Sequence, residues 1–134
     1  MLLIDFVIPI PDSGNASALG YSESIKKPFE FGIIRNHYTG RTFIQSTNSV
    51  RHISVKLKHN PNLHSLKNKN IALIDDSIVR GTTSIKIVEM LRNAGVKNIH
   101  MRIASPPVKY PCFYGIDTPT KEELLASKFS IDEI

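Results

Sequence analysis

A single cysteine, Cys112, is all the thiol that this 134-residue chain carries. It can build no disulfide framework, and a cytoplasmic setting is the default for such a chain. No apolar run approaches the roughly 18 residues of a membrane-spanning helix, so no membrane association is expected. The apolar opening, residues 1–10, is interrupted by Asp5 and framed by neither a basic region nor a small-residue cleavage site; it reads as a strand, not a signal peptide. Gly-x4-Gly-Lys-Ser/Thr and Gly-x-Gly-x-x-Gly are both missing, which leaves P-loop ATPase and dinucleotide dehydrogenase readings without their phosphate loops. Helix-turn-helix, zinc-finger and aromatic RNA-binding motifs are missing too. The net charge of +5 is therefore assigned to an anionic small molecule, and no nucleic-acid partner is expected. The five histidines are scattered, and local spacing suggests no Cys–His nucleophile pair. Internal repeats and low-complexity tracts are absent.

What is present concentrates at residues 71–84, Ile-Ala-Leu-Ile-Asp-Asp-Ser-Ile-Val-Arg-Gly-Thr-Thr-Ser. The opening run is short, β-branched and not alternating, as in a strand buried on both faces of a parallel sheet. Ile87, Val88, Leu91 and Ala94 then recur at helical spacing, with Gly95 where a C-terminal cap belongs. The loop between them sits at the carboxyl end of a strand and the N-terminus of a helix, where open α/β sheets bind ligands. Backbone N–H groups of the first helical turn, with the hydroxyls of Thr82, Thr83 and Ser84, can surround a phosphate. Gly81 allows close approach or a positive φ. Asp75 and Asp76 can accept from ribose hydroxyls or carry Mg²⁺, which takes one or two carboxylates beside waters and phosphate oxygens. Singly, each residue is as readily a turn or helix cap, as Asp76, Ser77, Thr82 and Thr83 would be; their occurrence in one run favours a sugar-phosphate site.

Strands and helices alternate along the chain. Strands are expected at 6–10, 29–35, 70–75 and 98–104, and helices at 15–24, 82–94 and 120–127. The last helix opens on Thr120-Lys-Glu-Glu123, a capping-box match. Alternating units imply an α/β fold: a parallel sheet flanked by helices on both faces. Residues 36–70 show little periodicity and are too long for an ordinary connection, so a long flexible loop is expected there. The turn Pro-Asp-Ser-Gly at 11–14 is a second candidate anion site, its Ser13 and Gly14 N–H groups turned to an anion and the Ser13 hydroxyl in reach of a metal. By itself it is a plain turn signal. Cys112, among Tyr110, Phe113 and Tyr114, reads as a small buried hydrophobe.

The run at 71–84 resembles the phosphoribosyl-pyrophosphate (PRPP) signature of type I phosphoribosyltransferases. Its longer form is similar to that of the glutamine PRPP amidotransferase family. The stretches Ile-Pro-Ile-Pro-Asp-Ser-Gly at 8–14, Gly-Ile-Ile-Arg-Asn-His-Tyr-Thr-Gly-Arg-Thr-Phe at 32–43 and Arg-Ile-Ala-Ser-Pro-Pro-Val-Lys-Tyr-Pro-Cys-Phe-Tyr-Gly-Ile-Asp at 102–117 point the same way. The resemblance covers residues 6–127 and leaves 128–134 as an unfamiliar tail, so a partial phosphoribosyltransferase domain at 1–127 is expected.

The resemblance implies PRPP contacts from Asp75, Asp76, Ser77, Arg80, Gly81, Thr82, Thr83 and Ser84, and a pyrophosphate loop of Asp12, Ser13 and Gly14. It implies Mg²⁺ on Ser13, Asp75 and Asp76. Residues 36–70 become a mobile flap whose Arg41, Lys56 and Lys58 reach the pyrophosphate as catalytic cations. The implied reaction is transfer of ammonia, drawn from glutamine in the full enzyme, to C1 of PRPP. Its products are 5-phosphoribosylamine and pyrophosphate, at the first step of purine biosynthesis. Cys112 matches one ligand of the [4Fe–4S] cluster of full-length relatives; the cluster takes four thiolates, and none is expected in this chain. No cysteine precedes position 112, so a glutaminase nucleophile is missing. A truncated domain is expected, with one sheet face or the site's roof uncovered. The resemblance leaves room for a homo-oligomer. A non-catalytic PRPP-binding regulator would be expected to add a nucleic-acid-binding surface, which is not found. A nucleobase phosphoribosyltransferase is disfavoured by the long motifs around Arg35 and Cys112.

Overall fold

The computed structural model describes residues 3–35, 59–112, 114 and 120–134. Strand β1 (Phe6–Pro9) leads into helix α1 (Asn15–Ile25), followed by β2 (Ile33–Arg35), β3 (His59–Pro61) and the single turn α2 (Leu63–Leu66). Then come β4 (Asn70–Asp75), α3 (Thr82–Asn93), β5 (Asn98–Ile103), a 3₁₀ turn (Lys121–Glu123) and the short α4 (Leu125–Lys128).

The central sheet has the order β1-β4-β5 and is wholly parallel, with Phe6 opposite Ile71 and Asn70 opposite Asn98. Every residue of β4 is buried, which is why its sequence runs apolar without alternation. Successive residues still point to opposite faces. Ile8, Ile71 and Leu73 pack with Ile87 and Leu91 of α3, while Val7, Ala72 and Ile74 pack with Ala18 of α1. Each wholly buried Ile or Leu stabilises the fold by about 1.5–3 kcal/mol. At the amino ends of the strands, the Asp5 carboxylate accepts from the Asn70 N–H at 2.8 Å and from Asn70 Nδ2 at 3.0 Å; Asn98 Nδ2 donates to Asn70 Oδ1 at 2.7 Å. This polar chain ties all three strand starts at the end opposite the candidate site.

Helix α3 ends as its sequence predicts. The Val96 N–H bonds to the Leu91 carbonyl and the Gly95 N–H to the Arg92 carbonyl, with Gly95 at φ +85°. That is a Schellman cap, closed by burial of Val96 against the same cluster as Leu91.

Four expectations are corrected. The segment 29–35 is not one strand of the parallel sheet. Phe29 touches β1 through a single bridge to Val7, and the chain then turns away so that β2 pairs antiparallel with β3. Phe31 and Ile34 face outward and are largely exposed, so this piece lacks the second buried face that a central strand needs. Second, residues 59–70 are built into the fold: Leu66 is fully buried in the α3-side core, beside Ile33. Third, the capping box at Thr120 does not form. No side-chain cap bond is made there, and the helix gives way to the 3₁₀ turn followed by α4. Fourth, the sheet-face half of the expected uncovering does not hold for β1 and β4, which are covered by α1 on one side and α3 on the other; β5 stays partly exposed.

The second correction carries a prediction. The Asn62 amide donates to the Gly32 carbonyl at 2.9 Å and the Leu66 amide to the Asn62 carbonyl at 3.2 Å. Hydrogen exchange is expected to find both protected without ligand and little changed by PRPP. Rapid ligand-free exchange at both would restore the whole stretch to a loop.

Candidate active site

Because β1 and β4 are parallel neighbours, the loops that follow them emerge at the same edge of the sheet. The Ile10 N–H donates to the Ile74 carbonyl at 2.8 Å, so the first loop begins stapled to the end of β4. It then turns tightly: the Gly14 N–H, expected to face an anion, instead reaches back to the Ile10 carbonyl at 2.9 Å, and α1 starts at Asn15. A Cβ on Gly14 would stand 2.4 Å from the Ile74 oxygen and 2.9 Å from the Ile10 oxygen. Only glycine fits so close to two backbones. The turn brings Ser13 Oγ to 3.3 Å from Asp75 Oδ1. Asp12, next to it, forms an ion pair with Arg35 at the end of β2.

The second loop is ordered by its own carboxylates. Asp75 Oδ1 accepts the Asp76 N–H at 2.9 Å, and Asp76 Oδ1 accepts the Ser77 N–H at 2.7 Å. The chain after β5 lies alongside, with the Ala104 and Ser105 N–H groups donating to the Asp75 and Asp76 carbonyls. Gly81 precedes α3 at φ +74°, a left-handed conformation that L side chains rarely adopt. No side chain caps the start of α3, so the first-turn N–H groups keep their donors for an anion. Thr82 is exposed, and Thr83 and Ser84 are half-buried. Arg80 Nη2 donates to Glu123 Oε2 at 3.1 Å.

The two acids have different surroundings. Asp76 is exposed, whereas Asp75 is only 6% exposed. Burial lifts the Asp75 carboxyl from its ordinary 3.8 to about 6, against the lowering effect of the Asp76 N–H; the Asp76 carboxylate nearby pushes in the same direction as burial. Between roughly pH 4 and 6 the folded chain holds a proton that the unfolded chain has lost, so this group costs stability as pH rises through that window, and in full above it. An Asp75→Asn variant is therefore expected to match the wild type in stability near pH 4 and to exceed it by an amount of order 1–3 kcal/mol above pH 7. Paired thermal melts across that range check it; a wild type that gains on the variant as pH rises would contradict it.

The described residues contain no group of three or more His, Cys, Asp or Glu side chains placed to cage a metal. Ser13 Oγ and Asp75 Oδ1 nonetheless offer hard oxygens side by side, with the Asp76 carboxylate close to that of Asp75, a donor chemistry that fits Mg²⁺ when phosphate oxygens and waters complete its shell. Cys112, the one cysteine of the chain, is a single thiolate beside the four that a [4Fe–4S] cluster takes. Cys112 is half-buried, not a core residue; its Sγ accepts the Tyr114 N–H at 3.5 Å, and Tyr110 and Tyr114 are exposed. Of the remaining expected residues, Arg41, Lys56 and Lys58 lie outside the described residues, as does Phe113. Sequence reasoning missed Glu123 and Arg35 as partners of the two loops. Both act through long-range ion pairs that no local spacing announces.

A helix-covered parallel sheet whose two strand-end loops gather paired acids, hydroxyls and an uncapped helix start is an α/β arrangement suited to an anion. Comparison with known proteins narrows the class. The model of the phosphoribosyl transferase domain matches residues 3–105, and the chain belongs to that family. Among curated relatives, amidophosphoribosyltransferase of Rhizobium etli is 54% identical over 126 residues, 94% of this chain and 25% of that protein. The Bacillus subtilis enzyme of the same name is 49% identical over 97% of this chain and 27% of its own length. The solved glutamine phosphoribosylpyrophosphate amidotransferase from B. subtilis, complexed with ADP and GMP, superposes with a TM-score of 0.83 at 48% identity, covering 98% of this chain and 29% of that one. The chain thus spans about a quarter of the length of these relatives.

Proposed function

We propose that this chain forms the PRPP site of an amidophosphoribosyltransferase, where ammonia displaces pyrophosphate from C1 of the sugar. The observation that carries the reading is the meeting of Ser13 with Asp75 across two strand-end loops, at 3.3 Å, beside the uncapped start of α3. Similarity to amidophosphoribosyltransferases near 50% identity over almost the whole chain supports the choice of acceptor.

In this reading the first-turn N–H groups of α3 and the hydroxyls of Thr82, Thr83 and Ser84 hold the 5-phosphate. Asp75 and Asp76 accept from the ribose hydroxyls and orient C1. Backbone N–H groups of Asp12 and Ser13 face the pyrophosphate, the Gly14 N–H being held by the Ile10 carbonyl, with Arg41, Lys56 and Lys58 supplied by the segment between β2 and β3. The C1–O bond breaks with its electron pair leaving on pyrophosphate, the ammonia nitrogen bonds to C1, and a proton passes to solvent. The product is 5-phosphoribosylamine. No protein nucleophile is needed, since the work is positioning and stabilising the departing charge. Mg²⁺, when bound through Ser13, Asp75 and Asp76, would neutralise part of the pyrophosphate charge. The ammonia derives from glutamine in the whole enzyme. A cytoplasmic setting and a homo-oligomer belong to the same reading; among the described residues no helix is long and apolar enough to cross a membrane.

Pyrophosphate release tests the acceptor. With PRPP and Mg²⁺, the purified chain is given glutamine, concentrated ammonia or a nucleobase in turn. No release is expected with glutamine, because Cys112 is half-buried beside Tyr114 and no second thiol exists. Any turnover is expected with ammonia alone. Nucleobase-driven release would transfer the chain to a different class of phosphoribosyltransferase.

A further inference from the structure

Three consecutive residues of the second loop are held from behind by one segment near the end of the chain. The Val79 carbonyl accepts the Leu125 N–H at 2.9 Å. Arg80 Nη2 donates to Glu123 Oε2 at 3.1 Å. A Cβ at Gly81 would stand 3.0 Å from Leu125 Cδ2, so the glycine backbone rests directly on that leucine. The segment is anchored in turn, with Leu124 fully buried and Ala126 nearly so. A backbone hydrogen bond, an ion pair and an apolar contact thus converge on residues 79–81, the last before α3.

We infer that residues 123–126 form a brace that sets the shape of the phosphate loop, with Glu123 and Leu125 as positioning residues and Arg80 as a strut instead of an anion ligand. The inference rests on the loop being the ribose-phosphate site. The guanidinium has five donors in a rigid fork, and the bond to Glu123 commits one arm of it to the brace. Gly81 at φ +74° would be held in its left-handed conformation by the leucine beneath it. The loop donors are then presented to the phosphate already arranged, which lowers the ordering cost of binding.

The sign of one substitution separates strut from ligand. If Arg80 met the anion directly, Glu123→Gln would release it and leave binding equal or tighter. If Arg80 is a strut, Glu123→Gln weakens ribose 5-phosphate binding by roughly three- to fivefold, the range of a partly exposed ion pair. Arg80→Gln then weakens it by a similar factor, and the double variant binds no worse than either single one. Calorimetry with ribose 5-phosphate reads all four proteins. Unchanged or tighter binding in Glu123→Gln, or additive losses in the double variant, overturns the brace. Hydrogen exchange at the Leu125 amide needs no ligand: it should quicken in both single variants, and an unchanged rate also overturns the inference. A wild type that binds no ribose 5-phosphate, with Leu125 exchange quickened as described, would instead sink the phosphate-site reading and leave the brace as a structural contact.

Discussion

Replacing Asp75 and Asp76 together by asparagine is expected to weaken PRPP binding at least a hundredfold while the domain stays folded. Each carboxylate offers charge-assisted acceptors to a ribose hydroxyl or a cation, and a hydrogen bond to a charged group contributes about 1.5–3 kcal/mol. Losing two such groups, about 3–6 kcal/mol together, exceeds the roughly 2.8 kcal/mol that a hundredfold requires. The fold has reason to tolerate the change. Asp75 is buried in a place that disfavours its charge. An asparagine oxygen can still accept the Asp76 N–H and the Ser13 hydroxyl, as Asp75 Oδ1 does now. Binding and stability should therefore move in opposite directions, as expected where a buried charge is kept for its ligand. A variant that binds PRPP as well as the wild type would remove these acids from the site. One that unfolds would show that they hold the strand end together.

Gly14→Ala is expected to cost about 3 kcal/mol of stability and more than tenfold in PRPP affinity. The added carbon would lie 2.4, 2.9 and 3.1 Å from three backbone atoms, Ile74 O, Ile10 O and Ile10 N. None of them can rotate away as a side chain would. Relief requires the whole turn to lift from β4, which breaks the Ile10-to-Ile74 bond and withdraws Ser13 from Asp75. A melting temperature lower by about 10 °C would accompany it. Gly20, in the middle of α1 with nothing within 4 Å of its missing Cβ, is the control. There alanine is expected to stabilise by about 0.5–1 kcal/mol, because glycine is a poor helix residue. Equal effects at the two positions would mean that the close approach at Gly14 carries no weight.

Which elements could be read from the sequence follows from how local their causes are. β4 and α3 announce themselves because burial on both faces forces an unbroken apolar run, and burial on one face of a helix forces a 3.6-residue rhythm. The glycine turn and the acids lie in the same short stretch, so the second loop was legible whole. The first loop's residues alone give little more than a turn signal, and its part beside Asp75 comes from the resemblance; its closeness to β4 depends on a parallel pairing between residues more than sixty positions apart. The segment 29–35 misled because Phe31 and Ile34 are apolar yet face outward, which periodicity cannot distinguish from burial. Thr120 matched a capping pattern whose bond is not made, because Leu124 is drawn into the interior and the chain breaks there. Leu66 gave no signal at all, lying in a polar stretch and finding its core only through the β2–β3 pairing.

Titration of the purified chain with PRPP, in matched calorimetry with and without Mg²⁺, tests the central claim most directly. The two-loop site predicts saturable one-to-one binding that tightens when Mg²⁺ is added and is lost in the Asp75→Asn/Asp76→Asn variant. Absence of binding by the folded wild type, or binding indifferent to both the metal and the two acids, would contradict it.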